Sequence, residues 1–213
     1  MSNRLRIALT KGRLQDNSVA LFERAGLDCS PIKDPGRRLV HSIPNYPLDA
    51  VLSKAPDVIT YVEHGVCDIG VVGKDTIFER GGAFYEVLDL GFGKCRFALA
   101  VPEGADFYDG YDVKRLASKY PHVTRDYFAR KGMDVDIIKI EGSVELAPLL
   151  GLVDGIVDLV ETGNTLRENG LVAIEDVMQV SARLIVNVVS MKLKKDEINT
   201  LIDKIERLKE EEA

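Results

Sequence analysis

The chain has 213 residues, 46% hydrophobic and 29% charged, and its 28 basic residues against 34 acidic ones give a formal net charge of −6. That balance suits a globular protein with an ample core and argues against a nucleic-acid binder, which needs a concentrated basic surface. The opening MSNRLRIALTKG holds too short an apolar run for a signal peptide, and no stretch approaches the roughly 20 apolar residues that span a bilayer, so a cytoplasmic protein is expected.

Leu5, Ile7 and Leu9 alternate with Arg4, Arg6 and Ala8, a strand signal of period two. Thr10-Lys11-Gly12-Arg13 reads as a turn. Leu14, Val19, Phe22 and Ala25 then recur at helical spacing before Gly26, a suitable helix end. The same unit recurs. Residues 50–52 form a short strand, Pro56 opens a helix that runs to His64, and Val66–Val72 is a buried strand. Gly73-Lys74-Asp75 opens another helix, stopped by Gly81-Gly82, and Tyr85–Leu90 and Arg96–Val101 are strand-like.

Further on, Val113–Ala117 and Val135–Ile140 predict strands around a helix whose apolar side carries Tyr127 and Phe128. A short helix follows Glu141-Gly142-Ser143, and Gly155–Val160 is a strand, as is Leu184–Val189. Ile198, Leu201, Ile202, Ile205 and Leu208 make the stripe of an amphipathic C-terminal helix, with the closing KEEEA expected to fray. Strands alternating with helices predict an α/β protein with mostly parallel, helix-covered sheets. The glycines of GFGKC (91–95) read either as a lobe boundary or as a surface turn.

Cys29, Cys67 and Cys95 lie far apart without a C-x-x-C, and His41, His64 and His122 lack metal-ligand spacing. The cysteines are expected as small buried hydrophobes, and no metal ligands from the protein are expected.

The most informative stretch is DLVETGNTL, residues 158–166. In open α/β sheets ligands bind beyond the carboxyl ends of strands, and this stretch begins at such an end. A glycine flanked by hydroxyl and amide side chains lets backbone N–H groups converge on an anion. A helix starting near Asn164-Thr165 would add its positive end, and Thr162 and Thr165 add hydroxyl donors. Asp158 is placed to accept hydrogen bonds from vicinal hydroxyls. The physical reading is a ribose held by the acid and a 5-phosphate held by Thr162-Gly163-Asn164-Thr165. The competing reading is that Thr162 or Asn164 merely caps a helix. No G-x-x-x-x-G-K-[ST] pattern supports a P-loop.

Lys11 and Arg13 at the first strand-to-helix turn, Arg37 and Arg38 after the Asp34-Pro35-Gly36 type II turn signal, and Lys74 at a strand end could meet a second anionic group. The competing reading for each is a solvated surface charge.

ALTKGRL (8–14), YVEHGVCDIGVVGKD (61–75), LDLGFGKCRFALA (88–100), EGSVELAPLLGLVDGIVDLVETGNTLRENGL (141–171) and RLIVN (183–187) together resemble the ATP phosphoribosyltransferase family over nearly the whole chain. The resemblance implies two α/β lobes similar to type II periplasmic binding proteins, with a cleft between them. Lobe one would be residues 1–91 plus 180–213, and lobe two 92–179. It implies transfer of phosphoribosyl from phosphoribosyl pyrophosphate (PRPP) to N1 of the ATP adenine, with Mg²⁺ held by pyrophosphate and water, as the first step of histidine biosynthesis.

On that resemblance the PRPP loop is Asp158, Leu159, Val160, Glu161, Thr162, Gly163, Asn164 and Thr165. Arg13 and Arg37 are the catalytic cations, and Lys11, Arg38 and Lys74 join them around ATP and pyrophosphate. Because the chain ends one helix after RLIVN, it resembles the short form, which implies a homodimer of this chain and a regulatory partner similar to histidyl-tRNA synthetase, in a hetero-octamer. The alternatives are another PRPP-dependent phosphoribosyltransferase, which usually carries two adjacent acids where this chain has Asp158-Leu159, and a small-molecule-binding module of the same fold.

Overall fold

The computed structural model describes residues 4–210, with side chains described up to Leu208. The chain divides into two compact units. One is built from residues up to Gly93 and from Ser181 onward, the other from Lys94–Val180.

The first unit begins with β1 (Leu5–Thr10), α1 (Arg13–Arg24), α2 (Ser30–Lys33), β2 (Val40–Ser42) and β3 (Leu48–Ser53). It continues with α3 (Ala55–Glu63), β4 (Ile69–Gly73), α4 (Lys74–Arg80) and β5 (Phe84–Asp89). The second unit supplies β6 (Cys95–Pro102), β7 (Lys114–Ser118), α5 (Pro121–Arg130), β8 (Val135–Lys139), α6 (Leu146–Leu149), β9 (Gly155–Val160), α7 (Asn164–Glu168) and β10 (Leu171–Val180). The chain then returns to the first unit with β11 (Ala182–Asn187), α8 (Ser190–Leu193) and α9 (Lys195–Glu210).

The first sheet has the order β2-β3-β1-β4-β11-β5. Both faces of its centre are covered. Leu5, Ile7 and Leu9 pack with Val19 and Phe22 of α1 and with Ile198, Leu201, Ile202 and Ile205 of α9, while Ala8 and Val72 pack with Val58, Ile59 and Val62 of α3. Two-sided cover explains why every residue of β4 is buried. The amphipathic stripe read from the sequence is therefore the face that α9 buries. Lys209 and Glu210, expected to fray, continue that helix, while 211–213 lie outside the described residues.

The second sheet has the order β10-β6-β9-β7-β8. Its strand β6 alternates cleanly: Ala98 and Ala100 face the core under α6 and α7, and Phe97, Leu99 and Val101 face the core under α5.

The expectation of mostly parallel sheets needs correction. Among the described residues four of the nine strand pairings are parallel and five antiparallel, so both sheets are mixed. The reason is where the chain travels. β11 enters from the second unit and runs antiparallel to both β4 and β5, and β6 runs antiparallel to β9 and β10.

Other elements differ locally. The strand expected from Val66 begins at Ile69, because Val66 is exposed and the Cys67 amide donates to the Tyr61 carbonyl at 2.9 Å in a tight turn after Gly65. The strand expected over Leu184–Val189 ends at Asn187, whose side-chain oxygen accepts from the Val189 and Ser190 amides at 2.9 and 2.8 Å and turns the chain into α8. Cys29 and Cys67 are fully buried and Cys95 partly so, all three as free thiols.

Candidate active site

Asp158 lies near the carboxyl end of β9, the central strand of the second sheet, whose neighbours are β6 and β7. Parallel pairing with β7 (Leu116↔Gly155, Ala117↔Ile156) sends β7, β8 and β9 to the same edge, so the segments after all three strands leave there. The Asp158 carboxylate accepts a hydrogen bond from the Leu159 amide at 2.8 Å. Burial pushes its pKa up to about 6. That amide bond and Lys119 pull it down, and Glu145 pushes it further up. A carboxyl group held out of water, with most of its lone pairs unspent, is suited to accept hydrogen bonds from a ligand that displaces the remaining water.

Residues 161–163 make the turn between β9 and α7. Gly163 takes the left-handed conformation (φ 75°, ψ 6°), which a side chain would strain. The Asn164 amide donates to the Thr162 hydroxyl at 3.4 Å. Leu166, buried in the core, anchors α7 beneath the turn. This helix has only five residues, so its dipole is small, and anion recognition here rests on the hydroxyls and backbone N–H groups. Glu161, Thr162, Asn164 and Thr165 are exposed. A cavity of about 220 Å³ is lined by residues 158–166 together with Glu145. The loop expected from the sequence thus lines one concave surface.

Glu145 escaped the reading of the sequence. It precedes α6, a different element from the loop, and nothing in the spacing from Glu145 to Asp158 marks the two as neighbours. Lys119, just past the end of β7, is likewise an electrostatic neighbour of Asp158.

The basic positions of the first unit fall along one sheet edge. β1, β3 and β4 run parallel, with Thr10 opposite Ser53 and Leu9 opposite Val71. Lys11 follows β1, its amide donating to the Ser53 carbonyl at 2.8 Å, and Arg13 opens α1 after Gly12. Lys74 follows β4 directly. Val40 pairs with Val51 antiparallel, so Arg37 and Arg38 enter β2 at this same edge. They line a concavity of about 460 Å³ with Asp34, His41 and Ser42. The hydrogen-bonded turn there lies one residue later than the type II signal implied: the Arg38 amide donates to the Pro35 carbonyl at 3.1 Å, with Gly36 at φ 53°.

Lys74 is held by an acid and a ring. It is ion-paired with Glu86 and lies 4.7 Å from the centre of the Phe78 ring, and Glu86 is shared with Arg183 at 3.3 Å. Among the described residues no group of three or more His, Cys, Asp or Glu is placed to hold a metal ion, and no helix is long and apolar enough to cross a membrane.

Comparison with known proteins gives these features a family. The family model for HisG, ATP phosphoribosyltransferase, matches residues 54–207, which include the whole loop from Asp158. The ATP phosphoribosyltransferase of Clostridium kluyveri is 59% identical over 203 residues, 95% of this chain and 93% of that protein. That of Clostridium acetobutylicum is 58% identical over 210 residues, 98% and 97% of the two chains.

Among solved structures, the ATP phosphoribosyl transferase (HisG:HisZ) complex from Thermotoga maritima matches with a TM-score of 0.82 at 32% identity, over 97% of this chain and 99% of that one. The periplasmic aliphatic sulphonate binding protein SsuA from Escherichia coli matches with a TM-score of 0.61 at 15% identity, over 95% of this chain and 71% of that one. This second likeness concerns the fold alone, and it is the periplasmic-binding-protein type. An acid at a strand end, a glycine turn bearing two threonines and near-complete coverage by relatives of one name agree: the chain belongs to the ATP phosphoribosyltransferase family.

Proposed function

We infer that the chain transfers the phosphoribosyl group of PRPP to N1 of the ATP adenine, releasing pyrophosphate and forming phosphoribosyl-ATP, the first step of histidine biosynthesis. The observation that carries this reading to particular residues is the cavity where a half-buried Asp158 meets the Thr162–Thr165 turn. Asp158 accepts from the ribose hydroxyls, and Thr162, Thr165 and the backbone N–H groups of residues 163–165 hold the 5-phosphate. Leu159, Val160 and Glu161 carry the chain between the two.

The chemistry asks little of side chains as reactants. Adenine N1 has its own lone pair, so the N1–C1 bond forms while the C1–O bond breaks and its electron pair leaves on pyrophosphate. The enzyme's part is to hold the two substrates in line and to stabilise the departing charge. We assign the latter to Arg13 and Arg37, with Lys11 and Arg38 around ATP and pyrophosphate. Lys74 joins them by exchanging Glu86 for a phosphate. ATP thus belongs to the unit carrying the basic turns, and PRPP to Lys94–Val180.

Family members need a divalent metal ion. We assign it as Mg²⁺ carried on the pyrophosphate oxygens and water, the usual habit of this ion with phosphates. The solved relative in complex with HisZ supports a regulatory partner of that kind, and we place this chain as a homodimer within a hetero-octamer in the cytoplasm.

Chromatographic detection of phosphoribosyl-ATP from ATP, PRPP and Mg²⁺, with and without a HisZ-type partner, tests the reading. Product in either mixture supports it; absence of product in both overturns it.

A further inference from the structure

The Thr162–Thr165 turn is exposed and short, yet the proposed phosphate site needs its donors aimed at one point. Arg167, on α7 behind the turn, ties it together. Its backbone N–H donates to the Gly163 carbonyl at 3.1 Å. One guanidinium nitrogen reaches the Thr162 carbonyl in a long contact of 3.5 Å, and the other donates to the Asn164 side-chain oxygen. The side chain therefore spans both flanks of Gly163, and a methyl group added at Gly163 would lie 3.5 Å from that same guanidinium. Arg167 also lines a second concavity that shares Thr162, Gly163 and Leu166 with the loop and adds Arg96, Glu103 and residues 170–173.

We propose that Arg167 is a positioning residue for PRPP: its forked guanidinium fixes the Thr162 carbonyl and the Asn164 side chain, so that the threonine hydroxyls and backbone N–H groups of the turn converge on the 5-phosphate. This rests on the assignment of the turn to PRPP. The geometry also gives Asn164 a role. Its oxygen is spent on Arg167, so Asn164 acts as a strut of the turn. A lysine at this position would keep the charge but lose the fork that reaches two acceptors at once.

The test is steady-state kinetics on the full chain, with Arg167→Ala, Arg167→Lys, Asn164→Ala, Arg167→Ala/Asn164→Ala and Thr165→Ala, each first checked by thermal melting. The loss of two hydrogen bonds from a charged donor predicts a rise of about tenfold in the PRPP KM of Arg167→Ala, with the ATP KM and the kcat at saturating PRPP unchanged. Arg167→Lys stays close to Arg167→Ala. The double variant loses no more than Arg167→Ala alone, because partners in one network are not additive.

A PRPP KM unchanged in Arg167→Ala overturns the proposal, as does full recovery in Arg167→Lys, which would make Arg167 a point charge. Thr165→Ala separates the two levels. If it weakens PRPP while Arg167→Ala does not, only the positioning role falls; if neither variant moves the PRPP KM, the assignment of the turn itself falls.

Discussion

The Asp158 carboxylate and the Leu159 amide are joined by a 2.8 Å hydrogen bond inside the cavity that carries the proposed PRPP site. Even with that bond, burial holds the Asp158 pKa at about 6, with Glu145 adding to the rise and Lys119 opposing it. The acid proposed to hold the ribose is therefore ionised only above the ordinary carboxylate range. PRPP affinity of the free protein should fall as pH drops through about 6. Asp158→Asn should bind PRPP weakly at every pH, with only the shallower limb that the 5-phosphate's own ionisation at about 6 leaves, while its affinity for free pyrophosphate stays near wild type. Isothermal titration with both ligands from pH 5 to 8 checks this; equal losses for PRPP and pyrophosphate would remove Asp158 from the ribose.

The same shift has a consequence for stability. The folded pKa of about 6 lies above the ordinary value of 3.8, so the neutral form favours folding. That contribution is complete below the unfolded pKa and is lost as pH rises through the folded one. Asp158→Asn should accordingly be more stable than wild type above pH 6, by no more than about 3 kcal/mol, and the gap should close toward pH 4. Thermal melts of the two proteins across this range measure it.

Arg37→Ala should lower the rate of the chemical step more than it weakens ATP binding, because a cation near departing pyrophosphate acts mainly on charge that develops in the transition state. Single-turnover kinetics separates the two. A normal chemical rate with only a raised ATP KM would place Arg37 in ground-state binding.

Asp68 ties the C-terminal helices to the first sheet. It is 6% exposed and accepts from the Arg6 amide at 2.8 Å, the Ser190 hydroxyl at 2.7 Å and Lys194 at 2.9 Å through both oxygens. Asp68→Ala leaves two donors and a cation without their acceptor, and should cost roughly 3–5 kcal/mol. Lys194, at the exposed end of the pair, should cost less, about 1.5–3 kcal/mol on change to Met. Denaturant unfolding measures both, and hydrogen exchange in α9 should quicken in Asp68→Ala before the rest of the first unit.

Much of this architecture is legible in the sequence where local pattern and burial agree. β1 shows its alternation because its odd residues enter one core, and α9 shows its stripe because one face is buried. β10 does not. It is an edge strand ten residues long, and register shifts between Ala173 and Glu175 and between Asp176 and Met178 break its period of two. Strand direction was also hidden, since it depends on where a returning segment such as β11 inserts. In the candidate site the contiguous run from Asp158 to Thr165 could be read because one turn carries it. Lys119 follows β7 and Glu145 lies between β8 and α6, and the pairing of β7 with both β8 and β9 brings these segments to the side of Asp158. The pairing of Lys74 with Glu86 could not be foreseen either, because it reaches from the end of β4 to β5 across the returning strand β11, which pairs with both.

The central claim, that Asp158 to Thr165 hold PRPP, is tested most directly by calorimetric titration of PRPP with Mg²⁺ into wild type, Thr162→Ala and Thr165→Ala. Each variant removes a donor to a charged group, a loss on the order of 1.5–3 kcal/mol, so PRPP affinity should fall roughly tenfold or more in each while ATP affinity is retained. PRPP affinity unchanged in both folded variants would contradict the account.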